Sequence, residues 1–236
     1  MIEKMLPHSL QEQVTQQGFG FIKQGLPLQQ IQQLHKICDK LSHQYKNTHG
    51  IRHLLDKSPE IKQLAYSDNL LSPIKVILGQ QARPVRAIYF NKSQSDTNWA
   101  VAWHQDLSIA VKEKVPIKGY QAWSVKQGVV HVQPPEAILK NILTIRIHLD
   151  PVTEQNGVLK VIPCSHQQGY LNSTQISQWV KKEETVLCSC EAGDLLFMQP
   201  LLLHASGKSQ TNKARRIIHI EYAGADLPAP LAWYED

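Results

Sequence analysis

Trp103-His104-Gln105-Asp106 is the stretch from which the rest of the chain can be read. Residues two apart on a β-strand point to the same face. A strand here would set the His104 imidazole beside the Asp106 carboxylate. One further imidazole would complete a two-His-one-carboxylate set, the donor arrangement that holds non-haem Fe(II) and leaves coordination positions open. His204, in Pro200-Leu201-Leu202-Leu203-His204-Ala205-Ser206, is the candidate.

Two other pairs have the same spacing, His148-Leu149-Asp150 and His219-Ile220-Glu221. Spacing alone suits a structural or surface pair as well as a ligand pair. Context separates them, because a metal-binding jelly roll must route several strands between the first pair and the distal histidine. Asp106 and His204 are 98 positions apart, Asp150 and His204 are 54 apart, and no histidine follows His219.

Upstream of this stretch, Val85-Arg86-Ala87-Ile88-Tyr89-Phe90 is β-rich and leads into the pair. Earlier still the pattern is helical. Gly18-Phe19-Gly20-Phe21-Ile22 reads as a short strand, and Pro27 suits the first turn of a helix. Leu28, Ile31, Leu34, Ile37 and Leu41 then follow at helical spacing. Ser58-Pro59-Glu60 and Ser72-Pro73 each read as an N-cap with proline at the first helical position, and Gly79 as a C-cap.

Downstream, residues 107–141 form a long mixed insertion with Pro116, Gly119, Gly128 and Pro134-Pro135, closing on a short helical run at 136–142. A long loop on a compact barrel reads as a lid or substrate-binding element. Trp123, Lys126, His131 and Gln133 lie in it. Trp123 reads equally as a staple holding the loop down or as a substrate contact, and Lys126 as a surface lysine or a contact for an anionic substrate group. Strands are expected at 143–149, 158–162, 185–190, 195–199 and 216–222, with a turn at Asn156-Gly157 and a short helix at 173–181. Helices first and strands after give an α+β chain with a sheet sandwich or barrel. The expected organisation is one domain over 1–236, helix-rich over 1–83 and β over 84–236.

Several segments together resemble the phytanoyl-CoA dioxygenase family of Fe(II)/2-oxoglutarate oxygenases. They are Tyr89-Phe90-Asn91-Lys92, Trp103-His104-Gln105-Asp106, the run from Asn156 to His166, Gly193-Asp194, His204-Ala205-Ser206 and Arg215-Arg216. The similarity runs from about residue 15 to the C-terminus, and it departs at Cys164, where the family usually has glycine. The resemblance implies a double-stranded β-helix, a jelly-roll relative of the cupins, with the N-terminal helices packed on it. It implies Fe(II) held by His104, Asp106 and His204, with 2-oxoglutarate and O2 as cosubstrates, and hydroxylation of a small molecule with release of succinate and CO2. Related halogenases lack the carboxylate, so Asp106 favours hydroxylation over halogenation. The family places a 2-oxoglutarate arginine 11 residues after the distal histidine, at Arg215, with Arg216 as the fallback and Ser206 on the same carboxylate. A planar guanidinium suits that carboxylate better than lysine does. Arg146, between isoleucines on an expected strand, should face an anion-filled cavity, because an unpaired buried charge is costly. It would bind either 2-oxoglutarate or the primary substrate, or pair with an internal acid. A jelly roll without turnover, or one using Zn or Mn as a Lewis acid, is the rival reading, and neither of those needs Arg215.

Composition narrows the partners. The net charge is +5, but Lys and Arg are scattered and Lys181-Lys182 runs straight into Glu183-Glu184. No aromatic-plus-basic strip for a nucleic acid stands out. No run approaches the roughly 18 apolar residues of a membrane span. Cys38, Cys164, Cys188 and Cys190 contain no C-x-x-C pair and read as reduced thiols of a cytoplasmic protein.

Overall fold

The computed structural model describes residues 9–45, 50–92 and 98–235. Five helices come early: α1 (Leu10–Gln17), α2 (Leu28–Gln44), α3 (Leu54–Lys57), α4 (Pro59–Ala65) and α5 (Asp68–Leu78). Two short strands lie among them, β1 (Phe19–Ile22) and β2 (Gly50–Arg52). The β region follows as β3 (Arg83–Lys92), β4 (Val101–His104), β5 (Ile109–Val111), β6 (Gln121–Lys126), β7 (Val129–Gln133), β8 (Ile142–His148), β9 (Leu159–Val161), β10 (Val186–Cys188), β11 (Leu195–Met198), β12 (His204–Ser206) and β13 (Arg215–Ala223). Helices α6 (Glu136–Lys140) and α7 (Ser173–Lys182) interrupt it.

The strands form a jelly roll. A six-stranded antiparallel sheet, β1-β11-β8-β13-β3-β2, accompanies a four-stranded sheet, β10-β9-β12-β4. Successive strands of the roll alternate between the two sheets except at β9 and β10, which pair within the smaller one, and this is the double-stranded β-helix. The large sheet is two-faced with period 2. Ala87 and Tyr89 of β3, Ile145 and Ile147 of β8, and Ile218 and Ile220 of β13 join Leu34, Ile61, Leu70 and Ile74 of the helices in one buried cluster. Each leucine or isoleucine among them contributes roughly 1.5–3 kcal/mol by leaving water. The alternate residues, Arg86, Ile88, Phe90, Arg146, Arg215, His219 and Glu221, line a cavity between the sheets.

Local expectations met three corrections. Ser72-Pro73 does not start a helix: α5 begins after Ser67, and Pro73 lies inside it. Burial of Leu70, Leu71 and Ile74 on one face carries the helix through the missing N–H. Pro27 is the N-cap of α2 and Leu28 stays 68% exposed, so the buried stripe starts at Ile31. The third concerns residues 107–141, which are not an irregular loop. They build a three-stranded antiparallel sheet, β5-β7-β6, and α6. Gln127 (φ 51°) and Gly128 (φ 83°) make the two-residue turn between β6 and β7, and positive φ at both positions is the hairpin turn that matches strand twist. This sheet packs through Ile109, Val111 and Val132 onto Leu201, Leu231 and Trp233. All four cysteines are free, and no helix among the described residues is long and apolar enough to cross a membrane.

Candidate active site

His104 closes β4 and His204 opens β12, and the two are register partners across adjacent antiparallel strands. Their ring centroids are 4.1 Å apart. Asp106 lies two residues past the end of β4, not on the strand, with its N–H donating to the Pro200 carbonyl at 2.8 Å. Between them Gln105 points the other way and is buried. Its amide donates to the carbonyls of Gly169 (2.8 Å) and Leu201 (2.7 Å) and accepts from the Leu171 N–H (2.9 Å). Trp103 packs with Ile176, Trp179 and Val180 of α7. The side chains pointing away from the cavity thus fix the backbone that aims His104 and Asp106 into it.

Nε2 of His104 and Nε2 of His204 each lie 3.6 Å from an Asp106 carboxylate oxygen, and one donor atom from each of the three residues falls within 4.8 Å of the others. Nδ1 of His104 is 2.8 Å from the Ala102 carbonyl, and Nδ1 of His204 is 2.9 Å from the Leu202 carbonyl. A carbonyl only accepts, so each Nδ1 carries the proton and each Nε2 offers a lone pair to the common point. Burial, the largest influence on His204, pushes it down to about 4. Burial opposes ionisation of Asp106, but His204 and then His104 outweigh it and hold the carboxyl well below the usual range.

The cavity beside this cluster has a volume of about 240 Å³. Arg215 and Arg146 line it, and both are more than nine-tenths buried. Arg215 donates through Nη1 to the Gly157 carbonyl while its Nε has no partner; Arg146 has Nη1 3.3 Å from Nδ1 of His219 and its Nε has no partner either. Lys92 is fully buried next to them, donating to the Gly207 carbonyl at 2.8 Å and reaching the Ser206 hydroxyl at 3.4 Å. None of the three cations makes an ion pair with a carboxylate among the described residues. Burial, and after it Arg146, pushes Arg215 down to about 9; burial, then Arg215 and Arg146, pushes Lys92 down to about 7. Arg216 alternates to the outer face, where it forks onto Asp150 with both contacts at 2.9 Å.

The rival pairs are placed differently. His148 is buried beside the Asp194 carbonyl, and Asp150 is taken by Arg216. His219 and Glu221 do line the cavity, 3.4 Å apart, but Glu221 is bound to Arg86 at 2.9 Å. Burial works against the charge on Glu221, yet Arg86 and then His219 hold its carboxyl below the ordinary range. Lys126 borders the cavity, with its ammonium 3.3 Å from the Ser108 hydroxyl. Trp123 does not line the cavity; it is half-buried against the Ile109, Val132 and Trp233 cluster, where the β5-β7-β6 sheet needs an apolar staple. Lys92, Arg52 and Arg86 also line or border the site and were not singled out in the sequence. The signal for Lys92 and Arg86 was the period-2 face of β3, which they share with Ile88 and Phe90.

A double-stranded β-helix with two histidines and one carboxylate converging between its sheets is the architecture of the facial-triad metalloproteins. Residues 14–217 match the phytanoyl-CoA dioxygenase (PhyH) family, and the chain belongs to that family. The human peroxisomal phytanoyl-CoA dioxygenase is 29% identical over 91 residues, covering 33% of this chain and 27% of the human protein. A probable phytanoyl-CoA dioxygenase of Caenorhabditis elegans is 29% identical over 93 residues, 34% of this chain and 30% of that protein. The matched segment therefore spans about a third or less of these relatives. Among solved structures, EctD from S. alaskensis with bound Fe superposes with a TM-score of 0.74 at 16% identity, covering 98% of this chain and 82% of that one. The non-haem α-ketoglutarate-dependent carbocyclase SnoK of nogalamycin biosynthesis gives 0.71 at 15% identity, covering 94% and 85%. The epimerase SnoN, in complex with Fe3+, α-ketoglutarate and nogalamycin RO, gives 0.71 at 14%, covering 94% and 90%.

Proposed function

We propose that this chain, acting as one domain, is an Fe(II)- and 2-oxoglutarate-dependent oxygenase that hydroxylates a small molecule. One observation carries the reading. Three metal-donor atoms converge within 4.8 Å, next to buried cations that no carboxylate of the described chain neutralises. The residues fit both groups. His104, Asp106 and His204 present two imidazole nitrogens and one carboxylate and leave the cavity side open. Ser206 follows His204 by two residues on β12, about 7 Å along the strand, and a five-carbon diacid chelating at the metal reaches that far. Ser206, Arg215 and Lys92, with Arg146 beside them, are the residues that would hold its distal carboxylate. When bound, iron and 2-oxoglutarate supply an oxidant for a C–H bond as O2 is consumed and succinate and CO2 are released. The chain's part is to hold both groups, neutralise the diacid and exclude bulk water.

A Zn- or Mn-dependent Lewis-acid site, or binding without turnover, would leave Arg215 and Lys92 buried without a counter-ion, at a cost that burial of unpaired charge always carries. Asp106 supports hydroxylation as the outcome, because it occupies the position a halide would need. Succinate release that requires both Fe(II) and 2-oxoglutarate tests the oxygenase reading. A product heavier than its substrate by one oxygen atom tests hydroxylation. An epimerised or cyclised product without added oxygen would keep the cosubstrates and reject hydroxylation.

A further inference from the structure

The cavity holds a second group of cations, away from Arg215. Arg52 on β2, Arg86 on β3 and Lys126 on β6 all line it. Arg52 stands opposite Ile88, and His219 stands opposite Ile88 on the other side of β3. Arg215 is four residues from His219 on β13, which is about 14 Å of strand. Arg146 is on β8, three strands from β2 in the sheet order, again about 14 Å at the usual spacing. One diacid at Arg215 therefore leaves Arg52 untouched.

The charges at this end do not balance. Arg86 is paired with Glu221 at 2.9 Å. Arg52 makes no ion pair among the described residues, and its Nη1 is buried without a hydrogen-bond partner. Lys126, exposed, makes no ion pair among the described residues and donates to the Ser108 hydroxyl at 3.3 Å. Burial, then the neighbouring Arg86, lowers Arg52, with Glu221 opposing; burial, then Arg86 and Arg52, lowers Lys126, with Asp106 and Glu221 opposing. Half-buried Arg52 thus keeps a buried Nη1 that no group among the described residues satisfies, exposed Lys126 reaches into the same cavity, and Ile88 and Phe90 give that cavity apolar lining. Asp106 and Ser108 line the same end, so whatever sits there lies against the metal cluster.

We propose that the primary substrate carries an oxyanion, a carboxylate or a phosphate, that Arg52 and Lys126 clamp while the carbon to be oxidised faces the His104–Asp106–His204 cluster. This rests on the oxygenase reading and names the substrate class for it. Arg52 supplies the planar fork and Lys126 a point charge. The Arg86–Glu221 pair keeps Arg86 out of the contact and holds Glu221 away from the anion. Lys126 ends β6 and Arg52 ends β2, so an anion held by both ties the β6–β7 hairpin to β2.

The test uses the whole chain saturated with Mn(II) and 2-oxoglutarate under nitrogen, titrated by calorimetry with inorganic phosphate and separately with acetate at constant ionic strength. At least one anion binds saturably without displacing 2-oxoglutarate; phosphate tighter than acetate marks a phosphorylated substrate, the reverse a carboxylate. Arg52→Gln and Lys126→Met each weaken that anion at least about tenfold, whereas Lys118→Met, an exposed lysine outside the cavity, leaves it within about twofold. Should Arg52→Gln fail to fold, Lys126→Met carries the test alone. Anion affinity unchanged in the folded variants, no anion binding at all, or an anion that competes with 2-oxoglutarate overturns the proposal. If the wild type shows no Mn(II)-dependent 2-oxoglutarate binding, the oxygenase reading itself falls, and the two failures are told apart in the first titration.

Discussion

His104 and His204 face each other in register on neighbouring strands, ring centroids 4.1 Å apart, each with Nδ1 tied to the carbonyl two residues back. The backbone thus selects the tautomer and leaves both Nε2 atoms aimed at Asp106 before any metal arrives. Preorganisation of this kind places the loss on the ligands themselves. His104→Ala, Asp106→Ala and His204→Ala should each weaken Fe(II) binding by about 100-fold or more, measured by anaerobic calorimetry. His148→Ala and Asp150→Ala should leave it within a few-fold, since those side chains serve the Asp194 carbonyl and Arg216.

Arg215 and Arg216 are adjacent and point to opposite faces, one into the cavity and one onto Asp150. Arg215→Ala should raise the 2-oxoglutarate dissociation constant by about 2–5 kcal/mol, the range for removing one partner of a buried charge pair, with Fe(II) binding retained. Arg216→Ala should change 2-oxoglutarate binding little and lower thermal stability slightly, as expected of a partly exposed ion pair.

Lys92 gives a pH signature. Burial, then Arg215 and Arg146, brings its pKa down to about 7 from an ordinary value of 10.5. Between those two values the unfolded chain holds a proton that the folded protein lacks, so the stability of the metal- and cosubstrate-free protein should rise with pH across that window. Its destabilising contribution is fully present below about 7. 2-Oxoglutarate favours the charged lysine, so its affinity should fall as pH rises above about 7, by at most about tenfold per pH unit. Lys92→Met should flatten both profiles. Equal slopes in the two proteins would mean that Lys92 does not titrate there.

Trp123 and Cys164 should affect stability without affecting the cosubstrate. Trp123→Ala removes a half-buried staple of the β5-β7-β6 sheet and should cost about 1–3 kcal/mol in denaturant melts, less than a fully buried tryptophan, with 2-oxoglutarate affinity unchanged. Cys164 sits at φ 65°, ψ −6°, a left-handed conformation that costs a side-chain-bearing residue about 1–2 kcal/mol. Cys164→Gly relieves that strain, partly offset by the greater freedom of glycine in the unfolded chain, and should stabilise by up to about 1 kcal/mol.

How much of this could be read in the sequence depends on distance along the chain. The spacing of His104 and Asp106, with a histidine far enough downstream for several strands, pointed to a cluster that the structure brings within 4.8 Å. The alternation of Arg215 and Arg216 follows from period 2 in the same way. Arg52 could not be read, because a three-residue strand inside the helical third carries no periodic signal, and only pairing with β3 turns it toward the cavity. Lys92 could have been read from the face it shares with Phe90 and Ile88. Residues 107–141 looked irregular because their strands are short and their hairpin turn is Gln-Gly, a weaker signal than Asn-Gly. Pro73 misled for a different reason: a local start signal gave way to burial of Leu70, Leu71 and Ile74.

The central claim is that one site takes a metal through His104, Asp106 and His204 and a 2-oxoglutarate anchored at Arg215. Anaerobic calorimetric titration of 2-oxoglutarate into the protein, with Fe(II) and without it, tests this most directly. The account predicts one site per chain, at least about tenfold tighter with Fe(II) present, with that metal-dependent gain lost in Asp106→Ala and binding weakened by about 2–5 kcal/mol in Arg215→Ala. Binding that is equal with and without the metal, or that survives Arg215→Ala unchanged, would contradict it.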